Sequence, residues 1–167
     1  MAGQTEPRTA SLGDALVIER TFDAPPELLW KAWSEPEHFA RWVGPKGFTV
    51  PHCEIDFRVG GRVFFSMRSP EGKDYWSTGV FQEIVPMQRI VYTDSFADEH
   101  GNPVPATHYG MSEDFPLEML VTVTFEERDG KTKFRLHHAG MPASDQGGAN
   151  EGWSQSFDKL AEYLATM

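Results

Sequence analysis

The sequence predicts an α+β fold: a curved antiparallel sheet of six to seven strands wrapped around one long C-terminal helix, with two short helices after the first strand. Three observations predict it. From Phe48 to His138 the chain is a succession of β-rich runs joined by tight turns, which is the pattern of an antiparallel meander. About Ser144 to Thr166 reads as a helix, with Trp153, Phe157, Leu160 and Leu164 in one apolar stripe. The lengths also agree. About 20 residues of helix span about 30 Å and a ten-residue strand spans about 33 Å, so one helix covers the inner face of the sheet.

Taken in order, Ala15 to Phe22 is an apolar, β-branched run and reads as a strand. Pro25-Pro26 then opens a helix, because proline lacks only an N–H that the first turn leaves unpaired. Leu28, Leu29, Ala32 and Trp33 follow at helical spacing. Ser34 reads as the N-cap of a second short helix, with Pro36 and Glu37 in its first turn, running to about Trp42. Gly44 to Gly47 ends it.

The meander then begins. Phe48 to Phe57 is a strand that Pro51 can interrupt, and Val59 to Arg62 carries the Gly-Gly of a hairpin turn. Arg62 to Arg68, Tyr75 to Val85 and Arg89 to Phe96 are further strands, separated by Ser69 to Lys73 and by Pro86-Met87. Leu117 to Glu127 and Lys131 to His138 flank Asp129-Gly130, the strongest short hairpin signal in the chain. Ala97 to Phe115 does not fit the meander and reads as a long functional or mobile connection.

At 167 residues the chain suits one domain, expected over residues 15–167, preceded by a small, polar, flexible tail over residues 1–14. Lys and Arg number 15 against 25 Asp and Glu, a net charge of −10. That balance argues against nucleic acid and against anionic membrane surfaces, both of which need basic partners. A single cysteine, Cys53, excludes an internal disulfide and any CxxC site. No apolar run is long enough to cross a bilayer and the first 15 residues hold no apolar core of a signal peptide, so the expected location is cytoplasmic. Twelve Phe and five Trp exceed what packing usually needs in a domain of this size.

The element order is the helix-grip arrangement, and local motifs sharpen it. Ala24-Pro25, Trp30, Ala32-Trp33, Pro36-Glu37 and Trp42 resemble the opening of the START-like (SRPBCC) superfamily, in its branch named for the activator of the heat-shock chaperone ATPase. Asp56-Phe57-Arg58-Val59-Gly60-Gly61 resembles the first hairpin of that branch. Gly79-Val80-Phe81 with Glu83, Pro86 and Ile90 to Thr93 resembles its central hairpin, and Gly152-Trp153 with Leu160 its last helix. The resemblance covers about Ala15 to Leu164. It implies a cavity protein that binds an apolar molecule, such as a lipid, polyketide or flavonoid, between the C-terminal helix and the sheet. It also implies, as an alternative, a co-chaperone-like protein that stimulates a chaperone ATPase.

Alternation along the strands selects residues for such a cavity. The candidate ligand-binding set is Phe65, Met67, Tyr92, Asp94, Phe96, Met119, Val121, Phe134 and His138 from strands, Tyr109 from the long connection, and Trp153 and Phe157 from the helix. The same residues can equally fill a core. Tyr92, Asp94 and His138 are the sharper signal, because a buried polar group without a partner costs a few kcal/mol and so needs a neighbour or a ligand. Trp30, Trp33 and Trp42 read as core, with Trp33 or Trp42 also able to border a pocket mouth.

No nucleophile elbow, P-loop, dinucleotide fingerprint or metal-ligand spacing occurs, and His137 and His138 point to opposite faces of a strand. The expectation is therefore no metal, no cofactor and no assigned catalytic residue. A cyclase- or hydrolase-type enzyme using a cavity His or Asp stays open. The expected partners are a small apolar ligand, with a chaperone or a second copy of the chain as alternatives.

Overall fold

The computed structural model describes residues 15–167. The expected tail, residues 1–14, lies outside the described residues. The seven strands are β1 (Ala15–Phe22), β2 (Thr49–Ile55), β3 (Arg62–Arg68), β4 (Asp74–Val85), β5 (Arg89–Ala97), β6 (Met119–Arg128) and β7 (Lys131–Ala139). They form one sheet in the order β1-β7-β6-β5-β4-β3-β2, antiparallel throughout. Only β1 departs from sequence order, because it pairs with the last strand along its whole length, from Ala15↔Ala139 to Phe22↔Thr132.

The helices follow from proline and apolar spacing. Helix α1 (Pro26–Ser34) has its proline in the first turn, Glu27 near its positive end and Lys31 near its negative end. It buries Leu29, Trp30, Ala32 and Trp33. Helix α2 is only Pro36–Phe39, shorter than the spacing to Trp42 predicts. Ser34 is not its N-cap. The Ser34 hydroxyl donates to the Trp30 carbonyl (2.7 Å), closing back on α1, and Glu35 makes the extended break between the helices. Trp42 lies beyond α2, fully buried, with its indole N–H donating to the Ala32 carbonyl (3.0 Å).

Helix α3 (Gln146–Leu164) packs on the concave face through its second half, where Phe157, Leu160 and Leu164 are buried. The loop after α2 fastens that half. Gly44 N–H donates to Ser156 Oγ (3.0 Å), and Lys159 Nζ donates to the carbonyl of Pro45 (3.2 Å). Burial lowers the Lys159 pKa.

Two glycines have no substitute. A Cβ on Gly61 would stand 2.0 Å from the Asp56 carbonyl oxygen, and one on Gly79 would stand 1.8 Å from that of Thr93. The first lets the β2–β3 hairpin fold on itself, and the second lets β4 lie flat on β5. Strand β2 is an edge strand whose register shifts between Thr49 and His52, around Pro51, which has no N–H for the ladder.

Alternation fails as a guide to burial on β3. Phe64, on the convex face, is more buried than Phe65 on the concave one. It stacks on Trp76 (5.1 Å), meets His52 (5.2 Å) and carries the Arg62 guanidinium over its ring (4.3 Å). This second aromatic cluster explains part of the aromatic surplus without any pocket.

Candidate functional site

The space between α3 and the sheet has two unlike ends. At one, Phe134, Val121 and Phe157 are fully buried. Phe134 meets Phe157 at 5.1 Å, Phe22 at 5.6 Å and Trp33 at 5.7 Å, mostly edge-on, as aromatic quadrupoles prefer. These three predicted lining residues stand in a filled core, and room is scarce throughout the interior. A narrow cleft of about 10 Å³ remains, lined by Trp33, Phe39, Ile55, Val63 and, from the middle strands, Phe81, Ile90 and Tyr92. That is space for about one water, so the roomy cavity expected from the resemblance is closed here by Trp and Phe side chains.

The other end is polar. Tyr92 and Asp94 point inward from β5, and His138 points inward from β7 two strands away, since Tyr92 pairs with Val121 and Val121 with His138. The indole N–H of Trp153, from the first half of α3, donates to His138 Nδ1 (3.1 Å). An indole nitrogen only donates, so Nδ1 is the acceptor and the proton of the neutral ring sits on Nε2. Nε2 lies 3.3 Å from Asp94 Oδ2, near but not aligned as a hydrogen bond. Asp94 keeps a quarter of its side-chain surface exposed. Burial, and then the Asp94 carboxylate, push the Tyr92 phenol well above its ordinary range, so Tyr92 stays a donor. Its hydroxyl has no hydrogen-bond partner among the described residues.

Two nitrogens at this site are buried and unpartnered: Trp33 Nε1 and His138 Nε2. Trp33 lies between the two ends. Its ring stacks on Trp153 (6.2 Å, 24° between planes), and it lines the cleft beside Tyr92.

The remaining predicted residues form the rim. Phe96 meets Tyr109 (6.1 Å) and Phe115 (5.7 Å). The Tyr109 hydroxyl accepts from Trp76 N–H (3.1 Å) and donates to the Ala97 carbonyl. The long connection is thus tied to the sheet by Tyr109, together with the Val104 N–H donating to the Phe96 carbonyl (2.9 Å). Met119 is buried beneath Gly140, Met67 is half-buried against Gly44, and Phe65 packs edge-on against Phe39 (5.3 Å).

Sequence reasoning passed over Phe39, Ile55 and Phe81. Phe81 precedes a register shift in β4, between Phe81 and Glu83, which breaks the alternation that would have selected it. Phe39 ends a helix too short to show a stripe. Among the described residues no three His, Cys, Asp or Glu side chains converge as a metal site, and no helix is long and apolar enough to cross a membrane. Burial, reinforced by Glu37 and Glu54, pushes the Cys53 thiol up to about 12, which suppresses the thiolate a nucleophile needs.

An open depression of about 440 Å³ lies at the opposite rim, between the start of α1 and the β4–β5 turn. Pro26, Met87 and Phe125 floor it, and Glu27, Glu126 and Glu127 edge it. Met87 is exposed and sits at φ 63°, a conformation uncommon outside glycine and asparagine.

Comparison with known proteins agrees with this architecture. A protein of Silicibacter pomeroyi, named for the same activator family found below, superposes with a TM-score of 0.74 at 28% identity, covering 91% of this chain and 98% of its own. A Chromobacterium violaceum protein gives 0.76 at 27% identity, covering 90% and 96%. One from Arthrobacter aurescens gives 0.78 at 24% identity, covering 93% and 88%. No curated protein sequence matches the chain significantly. The family model described as Activator of Hsp90 ATPase homolog 1-like protein matches residues 23–165, nearly the whole described chain. The chain therefore belongs to that family, a START-like, helix-grip group of ligand-binding or co-chaperone-like proteins.

Proposed function

We propose that this protein binds a small, largely apolar molecule between the first half of α3 and the concave sheet face. The observation that carries the reading is the pair of buried nitrogens without a hydrogen-bond partner, Trp33 Nε1 and His138 Nε2, among aromatic and aliphatic side chains and beside the Asp94 carboxylate. Leaving such a group unsatisfied costs about 1–3 kcal/mol each, a cost a ligand oxygen would remove. The cleft as it stands admits about one water, so binding requires the rim to move. The first half of α3 suits that movement. It contributes only Trp153 to the site, and Gly147 and Gly148 have nothing within 4 Å of where a Cβ would stand. The Tyr109 pin is the other element to displace. The test is native mass spectrometry of the purified protein, with solvent extraction, against a panel of lipids and aromatic polyketides. A protein that carries and accepts no small molecule removes the reading.

A second reading is a co-chaperone-like contact with a chaperone ATPase. The acidic depression beside the exposed Met87, on a chain of net charge −10, supports it by offering an apolar floor and a negative rim to a basic partner surface. An ATPase assay with the cognate chaperone decides it, and no stimulation counts against it. The enzymatic reading has less support: His138 Nδ1 already accepts from Trp153, so a free imidazole base would require that bond to break.

A further inference from the structure

Beside the cleft, two residues along β5 from its lining residue Tyr92, stands the carboxylate of Asp94. Its nearest ring nitrogen is Nε2 of the neutral His138, 3.3 Å away, and among the described residues it pairs with no lysine or arginine. Its neighbours on the concave face, Tyr92, Phe96, Met119 and Val121, bring no positive charge. A ligand carboxylate seated there would face Asp94 in surroundings that screen charge poorly. Of the other polar groups, Trp33 Nε1–H and His138 Nε2–H only donate, while the Tyr92 hydroxyl can donate or accept. An acceptor-only carboxylate beside these donors matches a hydroxyl, which donates its hydrogen bond to Asp94 and takes one from Tyr92 or Trp33. The rings of Trp33, Phe39 and Phe81 along the cleft suit a flat ring system behind that hydroxyl.

Resting on the ligand-binding reading above, we infer that Asp94 makes this site selective for a neutral hydroxylated ring compound and against carboxylates such as fatty acids. Asp94 acts here as a specificity residue, and no bond is made or broken.

The experiment compares two probes of nearly equal shape, 2-naphthylmethanol and 2-naphthoate, by titration calorimetry at pH 7.5. The indole N–H signals of Trp33 and Trp153, followed by NMR, show whether a probe reaches the cleft. The alcohol is expected to bind at least about tenfold more tightly than the carboxylate, since like charges brought together cost several kcal/mol. In Asp94→Asn the ratio is expected to fall to within about threefold, because the amide removes the charge and keeps the shape. Equal binding, or tighter binding of naphthoate, by the unmutated protein overturns the inference and leaves ligand binding standing. A tenfold gap that persists in Asp94→Asn also overturns it, because another group then sets the preference. If neither probe binds, ligand binding at this site and the inference fall together. Should Asp94→Asn fail to fold, the ranking of the two probes by the unmutated protein still decides the matter.

Discussion

The two ends of the space under α3 are built from the same residue types to opposite effect. At the packed end, Trp42 is fully buried and its indole N–H is spent on the Ala32 carbonyl. Where that end meets the cleft, Trp33 is also buried, yet its indole N–H has no hydrogen-bond partner. Phe134 and Phe157 close the first end with ring contacts on several sides, whereas Tyr92, Asp94 and His138 leave the second with polar groups that are incompletely matched. Helix α3 mirrors the split. Its second half is buried and latched by Lys159 and Ser156, whereas its first half buries no side chain fully and reaches the site through Trp153. A protein interior normally satisfies its polar groups, so the end that fails to do so is where a missing partner belongs.

The largest effect should come from the packed end. Phe134→Ala leaves a cavity among four aromatic rings and is expected to cost about 3–5 kcal/mol, read from the shift in urea midpoint. A loss below 1 kcal/mol would mean that this end is also loosely filled, and the contrast between the ends would disappear.

The same substitution at both tryptophans sharpens the contrast. Trp42→Phe removes volume and strands the Ala32 carbonyl, and is expected to cost about 2–4 kcal/mol. Trp33→Phe removes volume too, but the N–H it deletes has no partner, so its cost is expected to be smaller by about 1 kcal/mol or more. Equal losses in urea denaturation would show that the Trp33 nitrogen is satisfied in solution.

A third expectation concerns alkaline pH. Tyr92 has its folded pKa raised above the unfolded value near 10, by burial first and by Asp94 second. Its contribution is complete below that unfolded value and is lost as pH rises through it toward the folded pKa. Stability should therefore decline from about pH 10 upward, and Tyr92→Phe should make that decline shallower. Thermal melts between pH 8 and 11 measure it, and identical slopes in the two proteins would show that Tyr92 is not enclosed as described.

The smallest effect is chemical. Cys53, with its thiol pushed up to about 12, should react with a thiol reagent at pH 8 far more slowly in the native protein than in urea. Rapid labelling of the folded state would mean that β2 opens at the sheet edge.

Much of this molecule is legible in one dimension. The turn at Asp129-Gly130, the prolines that open α1 and α2, and the stripe of Phe157, Leu160 and Leu164 are local patterns that the structure keeps, whereas the first hairpin turn closes one residue earlier than expected, with Gly61 N–H donating to the Arg58 carbonyl. Ser34 misled because its hydroxyl has two backbone choices at a helix junction, and it took the carbonyl behind it. The candidate site was legible only in part. Inward-facing Tyr92, Asp94 and His138 follow from alternation, and they do stand together. That His138 should lie 3.3 Å from Asp94 and accept from Trp153 depends on the register of three strands and the rotation of a helix, which no local pattern encodes.

By itself, then, the sequence determined the order and kind of the elements, because hydrophobic period, proline and glycine act on the residues beside them. Only the tertiary structure decided how much space lies under α3. The same aromatic residues that suggested a cavity fill most of it, since volume is a sum over side chains that meet from distant parts of the chain. It also decided which buried polar atoms go without partners. Hydrogen bonding is a matter of distance and angle between groups as far apart in sequence as Trp33 and His138, and those two atoms are where the functional reading rests.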